Sequence, residues 1–230
     1  MTHLTGLERA TYVRNMFTRV ARYYDFMNRL MTGGQDIRWR RKVTQLARLD
    51  GNARLLDVGA GTGDLAREAS TQFPQAKVIA ADFTLEMMRV GQKNEALNFA
   101  SADALRLPFS DSLFDAVVSG FFVRNVIDLQ KALQEQYRVL KRGGRIVILD
   151  ATRPTKNLLS PLIWLHMHVV IPVLGALLTG AKEAYHYLPE TIEAFVTAEE
   201  LAVRMAAAGF RRINYQRLMF GTIAIHWGEK

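Results

Sequence analysis

Leu55-Leu56-Asp57-Val58-Gly59-Ala60-Gly61-Thr62-Gly63-Asp64 begins as an apolar run, breaks into glycine at alternate positions and continues with helix-forming residues. Arg54 to Val58 reads as a buried strand, and Asp64 to Thr71 as the helix after it. Three glycines between them let the backbone turn tightly and approach a ligand with no Cβ in the way, while free N–H groups at the helix start face that ligand. The pattern predicts a nucleotide site.

The spacing narrows which nucleotide. A dinucleotide fingerprint needs G-x-G-x-x-G, and counting from Gly59 the sixth position is Asp64, which weakens a pyrophosphate reading. No Gly-Lys-Ser/Thr follows, so a P-loop is excluded. The run Asp57-Val58-Gly59-Ala60-Gly61-Thr62-Gly63-Asp64 instead resembles the first motif of class I S-adenosylmethionine-dependent methyltransferases. In that resemblance the loop contacts a zwitterionic amino-acid tail. Strand Lys77 to Ala81 ends on Asp82, whose carboxylate would accept the ribose hydroxyls. The run Ala102-Asp103-Ala104-Leu105-Arg106-Leu107-Pro108-Phe109 supplies a third motif.

At 230 residues and 49% hydrophobic, the chain can build one substantial core. One methyltransferase domain over 1–230 is expected, with N-terminal lid helices (1–48), a cofactor-binding core (53–150), an apolar helical insertion (155–190) and a closing helix and hairpin (197–230). There is no cysteine, and the five histidines lack ligand spacing, so no metal is expected. The first residues lack the charged-then-apolar order of a signal peptide, which points to the cytoplasm. A net charge of +8 favours an anionic neighbour without choosing one. The densest basic run, Arg38-Trp39-Arg40-Arg41-Lys42, reads chiefly as a solvated helix face. It lacks the interleaved aromatics that stack bases, so nucleic acid is not an expected partner.

Glu8 to Asn28 carries Tyr12, Val13, Met16, Phe17, Val20 and Tyr24 at the spacing of one amphipathic helix, a candidate lid. The following Tyr23-Tyr24-Asp25-Phe26-Met27-Asn28, then Gly33-Gly34 and Arg38-Trp39-Arg40, is similar to the N-terminal signature of the ubiquinone/menaquinone biosynthesis C-methyltransferase family. Val123-Arg124-Asn125-Val126 matches that family's Leu-Arg-Asn-Val, and Lys131 through Gly144 matches its next helix and Gly-Gly turn. The likeness runs from about Val13 to the C-terminus and is poorest from Thr155 to Lys182. Phe122 stands where the family commonly has glycine, Asp36 where histidine is usual, Arg142 for proline and Asp150 for glutamate. None of these touches the cofactor motifs; they bear on substrate shape.

The resemblance implies an α/β, Rossmann-like class I methyltransferase fold. Its sheet is seven-stranded and mostly parallel with an antiparallel last strand, and a helical insertion precedes strand six. It implies S-adenosyl-L-methionine as cofactor, S-adenosyl-L-homocysteine as product, and a lipid-tailed quinol methylated on a ring carbon. Around the cofactor it places Asp57, Gly59, Gly61, Thr62, Gly63, Asp82, Phe83, Asp103, Ala104 and Gly120, with Met87 and Met88 flanking the adenine or filling core. Arg124 and Asn125 lead the candidates for binding and polarising the ring oxygen. Tyr24, Asp25, His168, Asp150 and Tyr185 are further catalytic or positioning candidates, each with a packing role as the alternative. Arg124 pairing with Asp128 is the competing structural role. An O- or N-methyltransferase of another small molecule, or a non-catalytic cofactor-binding subunit of a quinone-synthesis complex, are the alternative functions.

Between Asn157 and Ala181 there is no Asp, Glu, Lys or Arg, and Leu158 to Thr179 is long enough to cross a bilayer. One crossing would split a sheet whose strands lie on both sides of this segment. The reading is two short apolar helices that roof the substrate and dip into the inner face of the membrane, interrupted by Pro161, Pro172, His166 and His168. A buried helical pair or a homodimer contact is the alternative. Thr197 to Glu200 is a capping box, Gly209 ends the helix it opens, and Arg211–Leu218 with Thr222–Trp227 alternate as a closing hairpin.

Overall fold

The computed structural model describes residues 6–94, 97–154 and 158–230, so the start of the lid segment (1–5) and of the apolar insertion (155–157) lie outside the described residues. The strands are β1 (Arg54–Val58), β2 (Lys77–Asp82), β3 (Asn98–Ser101), β4 (Phe114–Gly120), β5 (Leu140–Ala151), β6 (Arg211–Leu218) and β7 (Ile223–Glu229). They form one sheet in the order β3-β2-β1-β4-β5-β7-β6, in which β7 runs antiparallel to both of its neighbours. The other pairings are parallel. This is the sheet that the glycine loop and its sequels predict.

The helices are α1 (Gly6–Val20), α2 (Tyr24–Met31), α3 (Gln35–Ala47), α4 (Asp64–Gln72), α5 (Leu85–Asn94), α6 (Leu129–Val139), α7 (Ser160–Leu165), α8 (Ile171–Thr179), α9 (Lys182–Ala194) and α10 (Ala198–Ala207). Side chains of successive strand residues point to opposite faces, so β1 feeds two cores. Leu55 joins Val43, Leu65 and Val147 on one face, and Leu56 joins Leu133, Ile148 and Leu201 on the other. Beyond Arg54 every β1 residue is buried, as a central parallel strand requires. At the head of α10 the Thr197 hydroxyl accepts from the Glu200 amide at 3.2 Å and the Thr197 amide donates to the Glu200 carboxylate at 2.8 Å.

Three expectations need correction. The N-terminal amphipathic stretch is two helices, because the chain turns at Ala21 to Tyr23, where the Tyr23 amide closes a tight turn onto the Val20 carbonyl at 2.9 Å. Val20 and Ala21 are buried at the corner, so tertiary packing overrides a local period that runs on through it. The apolar segment is one continuous helical run, Ser160–Thr179, with a π turn at His166–Val170 between α7 and α8. Pro172 has no N–H to give to the preceding turn, and a local widening of the helix accommodates that loss without a break. The basic run is only in part a solvated face: Trp39 and Arg40 are buried, and Arg40 pairs with the buried Asp36.

Helix α5 crosses the glycine loop at Gly91, where an added Cβ would lie 2.2 Å from the Thr62 carbonyl oxygen and 2.7 Å from the Phe99 ring. Gly91→Ala is therefore expected to destabilise the protein by roughly 1–3 kcal/mol, the usual range for overpacking. Urea unfolding curves check this; an unchanged midpoint would mean that α5 can slide off the loop.

Candidate active site

The carboxyl ends of β1 and β2 deliver two loops that hold each other. Gly59 and Ala60 donate their amides to the Ala81 carbonyl at 2.8 and 3.0 Å. The Asp82 carboxylate accepts from the Gly61 amide at 2.8 Å and from the Thr84 amide at 2.6 Å. The Thr84 hydroxyl and the Phe83 amide approach the same carboxylate, so the loop surrounds it with donors. Gly59 and Gly61 have φ of +71° and +59°, a region that residues with a Cβ enter at a cost. Gly59 is required for a second reason, since a Cβ there would meet the Phe122 ring at 2.1 Å.

The loop is also tied outward. Thr62 donates its hydroxyl to Asp25 of α2 at 2.6 Å, and Asp64 pairs with Arg40 at 3.0 Å and Arg67 at 2.8 Å. Over it lies a cleft of about 1060 Å³, counting the open solvent at its mouth. Gly59, Gly61, Asp82, Phe83, Asp103 and Ala104 line it. Met87 lines it with Leu105 and Leu107, whereas Met88 is buried core. Helix α1 closes the cleft with Ala10, Val13, Arg14 and Phe17, one face at helical spacing, and Arg14 reaches over the Phe83 ring at 5.7 Å.

Past β4 the chain makes a tight turn, Val123–Asn125, that presents Arg124. Phe121, before it, has φ of +57°, an outlier for a bulky residue that is held by its amide donating to the Leu149 carbonyl at 2.7 Å. The Arg124 guanidinium donates to Asp150 of β5 at 2.6 Å, and the Arg124 amide donates to the same carboxylate at 3.2 Å. Both side chains are buried, with 7% and 2% exposed. Burial pulls the guanidinium pKa down, but Asp150, Tyr24 and Tyr187 together outweigh it and the net shift is upward. Arg124 Nε is buried without a partner among the described residues, and Asn125 Nδ2 donates to the Phe121 carbonyl at 3.3 Å.

A second cavity adjoins the cleft and shares Phe17, Tyr24 and Asn125 with it. Arg124, Asn28, Tyr185 and Tyr187 supply its polar atoms, and methionines of α1 and α2 much of the rest. Burial raises the Tyr24 phenol, against the opposing pull of Arg124, and burial also raises Tyr185. The Tyr185 ring lies flat against α8, where a Cβ on Gly175 would meet it at 2.1 Å.

Not every candidate from the sequence reaches these cavities. Asp57, Thr62, Gly63 and Gly120 stand behind the cleft wall and do not line it. Asp25 is turned into the loop through Thr62, and burial, then the charge of Asp64, raise its pKa. Asp150 is taken up by Arg124, while Asp128 caps α6 by accepting from the Lys131 amide at 2.9 Å and takes no part in that pair. His168 lines neither cavity: the π turn sets it on the far side of its helix, stacked on Trp164 and 3.2 Å from Glu193. Sequence reasoning missed Arg14, Phe121 and Tyr187. The same-face spacing of Ala10, Val13, Arg14 and Phe17 was a usable signal for the first, and no local signal marks the other two.

The sheet order, the glycine loop locked to an aspartate at the end of β2, and a capped cleft define a class I S-adenosylmethionine-dependent methyltransferase fold. Among solved structures, that of a methyltransferase from Thermotoga maritima described as a possible histamine N-methyltransferase superposes with a TM-score of 0.66, covering 94% of this chain and 99% of that one at 20% identity. The [4+2]-cyclase SpnF superposes with a TM-score of 0.69 over 95% and 94% at 17% identity. The chain belongs to the ubiE/COQ5 methyltransferase family, whose model matches residues 5–230. It is 41% identical to the ubiquinone/menaquinone biosynthesis C-methyltransferase UbiE of Desulfotalea psychrophila, covering 97% of this chain and 92% of that protein. It is 44% identical to the demethylmenaquinone methyltransferase of Thermus thermophilus, covering 94% and 100%.

Asp57 is fully buried, and among the described residues neither carboxylate oxygen completes a hydrogen bond, the Ala66 amide only approaching it. Burial, then the charge of Asp82, pushes it up to about 7. A carboxyl raised in the folded state holds its proton there while the unfolded chain has lost it, so its contribution to stability falls as pH rises from about 4 to about 7 and is flat above. Asp57→Asn should flatten that slope and melt higher than the parent at pH 8 without ligand. Thermal scans across pH check this; parallel curves would remove Asp57 as the source.

Proposed function

We propose that this protein transfers a methyl group from S-adenosyl-L-methionine to a ring carbon of a lipid-tailed quinol in menaquinone or ubiquinone biosynthesis, releasing S-adenosyl-L-homocysteine. Family membership and the names of its relatives support the reaction. The observation that carries it is the junction of the two cavities at Phe17, Tyr24 and Asn125, which puts a ring in the second cavity against a methyl donor in the first. Proximity and alignment are the main demands of such a displacement.

The donors around the cleft suit the methyl donor. Asp82 lines the cleft at the end of β2, where its carboxylate would meet the ribose hydroxyls, and Met87, Ala104, Leu105 and Leu107 form an apolar slot for the base, with Asp103 at its edge. The Gly59–Gly61 backbone lets the amino-acid tail approach. When bound, the cofactor supplies an electrophilic methyl on a sulfonium, and transfer leaves the S–C electron pair on sulfur.

Arg124 and Asn125 hold the ring oxygen nearest the methylated carbon. The guanidinium, kept charged by Asp150, stabilises the phenolate and so raises the nucleophilicity of the adjacent carbon. Tyr24, with its pKa raised, stays protonated and donates a hydrogen bond. Among the described residues no carboxylate or imidazole lines the second cavity, so we assign the phenolic proton to water, with Arg124 making the phenol more acidic. The proton of the newly methylated carbon leaves afterwards and restores the aromatic ring.

We also read the helix Ser160–Thr179 as lying in the lipid interface. Leu162, Leu165, Val169, Val173 and Leu177 follow one face, all exposed, and only 22% of the helix's most apolar window is buried. That exposure removes the buried helical pair as an explanation. A net charge of +8 favours an anionic surface, and the proposed substrate resides in lipid. A homodimer through this face is the competing outcome. Leu162→Glu with Leu177→Glu should abolish co-sedimentation with anionic vesicles and leave turnover of a short-tailed quinol unchanged; a loss of dimer in sedimentation with vesicle binding intact would assign the face to self-association.

Arg124→Ala should lower kcat roughly 10²–10³-fold, the effect of deleting an oxyanion donor. It should also destabilise the fold by about 3–5 kcal/mol, because Asp150 is left buried and unpaired. The pair Arg124→Ala with Asp150→Asn separates the two effects: stability should recover and rate should not. Near-normal turnover by the folded double variant would reject the catalytic assignment.

A further inference from the structure

A third cavity lies outside the acceptor pocket, between the C-terminal half of α1 and the turn from α8 to α9. It shares Met16, Val20 and Ala184 with that pocket, so the two are separated only by apolar side chains, one of them an alanine. Thr179, Gly180 and Ala181 floor its outer part. Across its mouth Arg19 of α1 pairs with Glu183 of α9 at 3.0 Å, both side chains more than half exposed. An exposed pair of this kind contributes about 0–1 kcal/mol and opens readily.

The acceptor pocket has few other ways out. Its inner end is occupied by Arg124 and Asn125, where the polar edge of the ring must lie. Its α2 side is sealed, because Met27 packs with Ile171 and Tyr185 in a closed cluster joined by Met31 and Leu188. A further cavity beyond Arg124 and Thr191 is lined by Arg9, Asp128, Gln130 and Arg204, too polar for a hydrocarbon chain, which leaves the apolar wall of Met16, Val20 and Ala184. Methionine is the most adaptable apolar wall, and alanine the smallest.

We propose that this groove is the channel for the isoprenoid tail of the acceptor. The tail leaves the pocket between Val20 and Ala184, passes under the Arg19–Glu183 pair and emerges beside Gly180, at the end of α8 where Leu177 and Leu178 are exposed. The exit therefore opens onto the apolar ridge, and the chain passes from pocket to lipid without crossing water. This rests on the reading that a quinol ring occupies the second cavity.

Two variants that narrow only the outer groove, Ala181→Trp and His186→Trp, are assayed with demethylated quinols bearing either a single isoprene unit or a long polyprenyl tail. The expected result is a fall of roughly tenfold or more in kcat/KM for the long-tailed quinol, with the short-tailed one within about twofold. Equal effects on both quinols, or none on the long-tailed one, overturn the channel. Failure of the parent enzyme to methylate either quinol would instead reject the quinol reading itself. A long-tailed quinol with a diazirine along its tail gives a test on the unmodified protein: labelling of Arg19, Thr179, Gly180, Ala181, Glu183 or His186, which line the outer groove alone, supports the route, and labelling confined to other residues excludes it.

Discussion

The buried pair of Arg124 and Asp150 ties the end of β4 to the end of β5, and the geometry on the acceptor side follows from it. Asp150 accepts from the Arg124 guanidinium, the Arg124 amide and the Ala151 amide, at 2.6, 3.2 and 2.7 Å. To bring both the amide and the side chain of Arg124 onto one carboxylate, the chain must reverse just after β4, and Phe121 takes up a left-handed backbone conformation there. Taking two charges out of water is expensive, and a buried pair is poor evidence of stability for its own sake. What it provides is a guanidinium whose position and charge the fold fixes in advance, the condition that the proposed stabilisation of a phenolate requires.

The cofactor side is organised by the opposite imbalance. Asp25, Asp57 and Asp82 all have raised pKa values, with burial the first cause in each, and the buried cations near them are few. Arg40 pairs with Asp36 and Asp64 and leaves Asp57 without a direct partner. Such a site sits under electrostatic tension that a cationic ligand relieves. The proposed methyl donor, a sulfonium with a zwitterionic tail, carries one net positive charge, so its binding would stabilise the fold through the same carboxylates.

Around this core the added helices each face two ways. Helix α1 closes the cofactor cleft with Val13, Arg14 and Phe17 and, one turn on, walls the acceptor pocket with Met16 and Val20. The run Ser160–Thr179 packs Ile171 and Gly175 inward and leaves its leucines and valines outward. The cleft, the second cavity and the groove beside the exposed helix thereby fall in sequence across the molecule, with α1 as their common wall.

The sequence by itself determined the local chemistry: which runs form strands, where the glycine loop turns, that Asp82 ends β2, and that Thr197 and Glu200 open a helix. Those features depend on backbone sterics and on hydrogen bonds a few residues apart, so they are written in contiguous residues. Only the tertiary structure decided which charges pair. Arg124 and Asp150 are 26 residues apart, and Arg124 takes that partner in preference to the nearer Asp128 because neighbouring strand ends place Asp150 beside it. The same holds for Arg40, whose basic neighbours suggest a solvated face until Asp64 arrives on the next helix. It holds for His168, which a two-helix reading of its segment left free to face the site and a π turn faces away. Sequence spacing records what a residue can reach along its own element; burial and pairing depend on what the fold brings against it, and no local pattern encodes that.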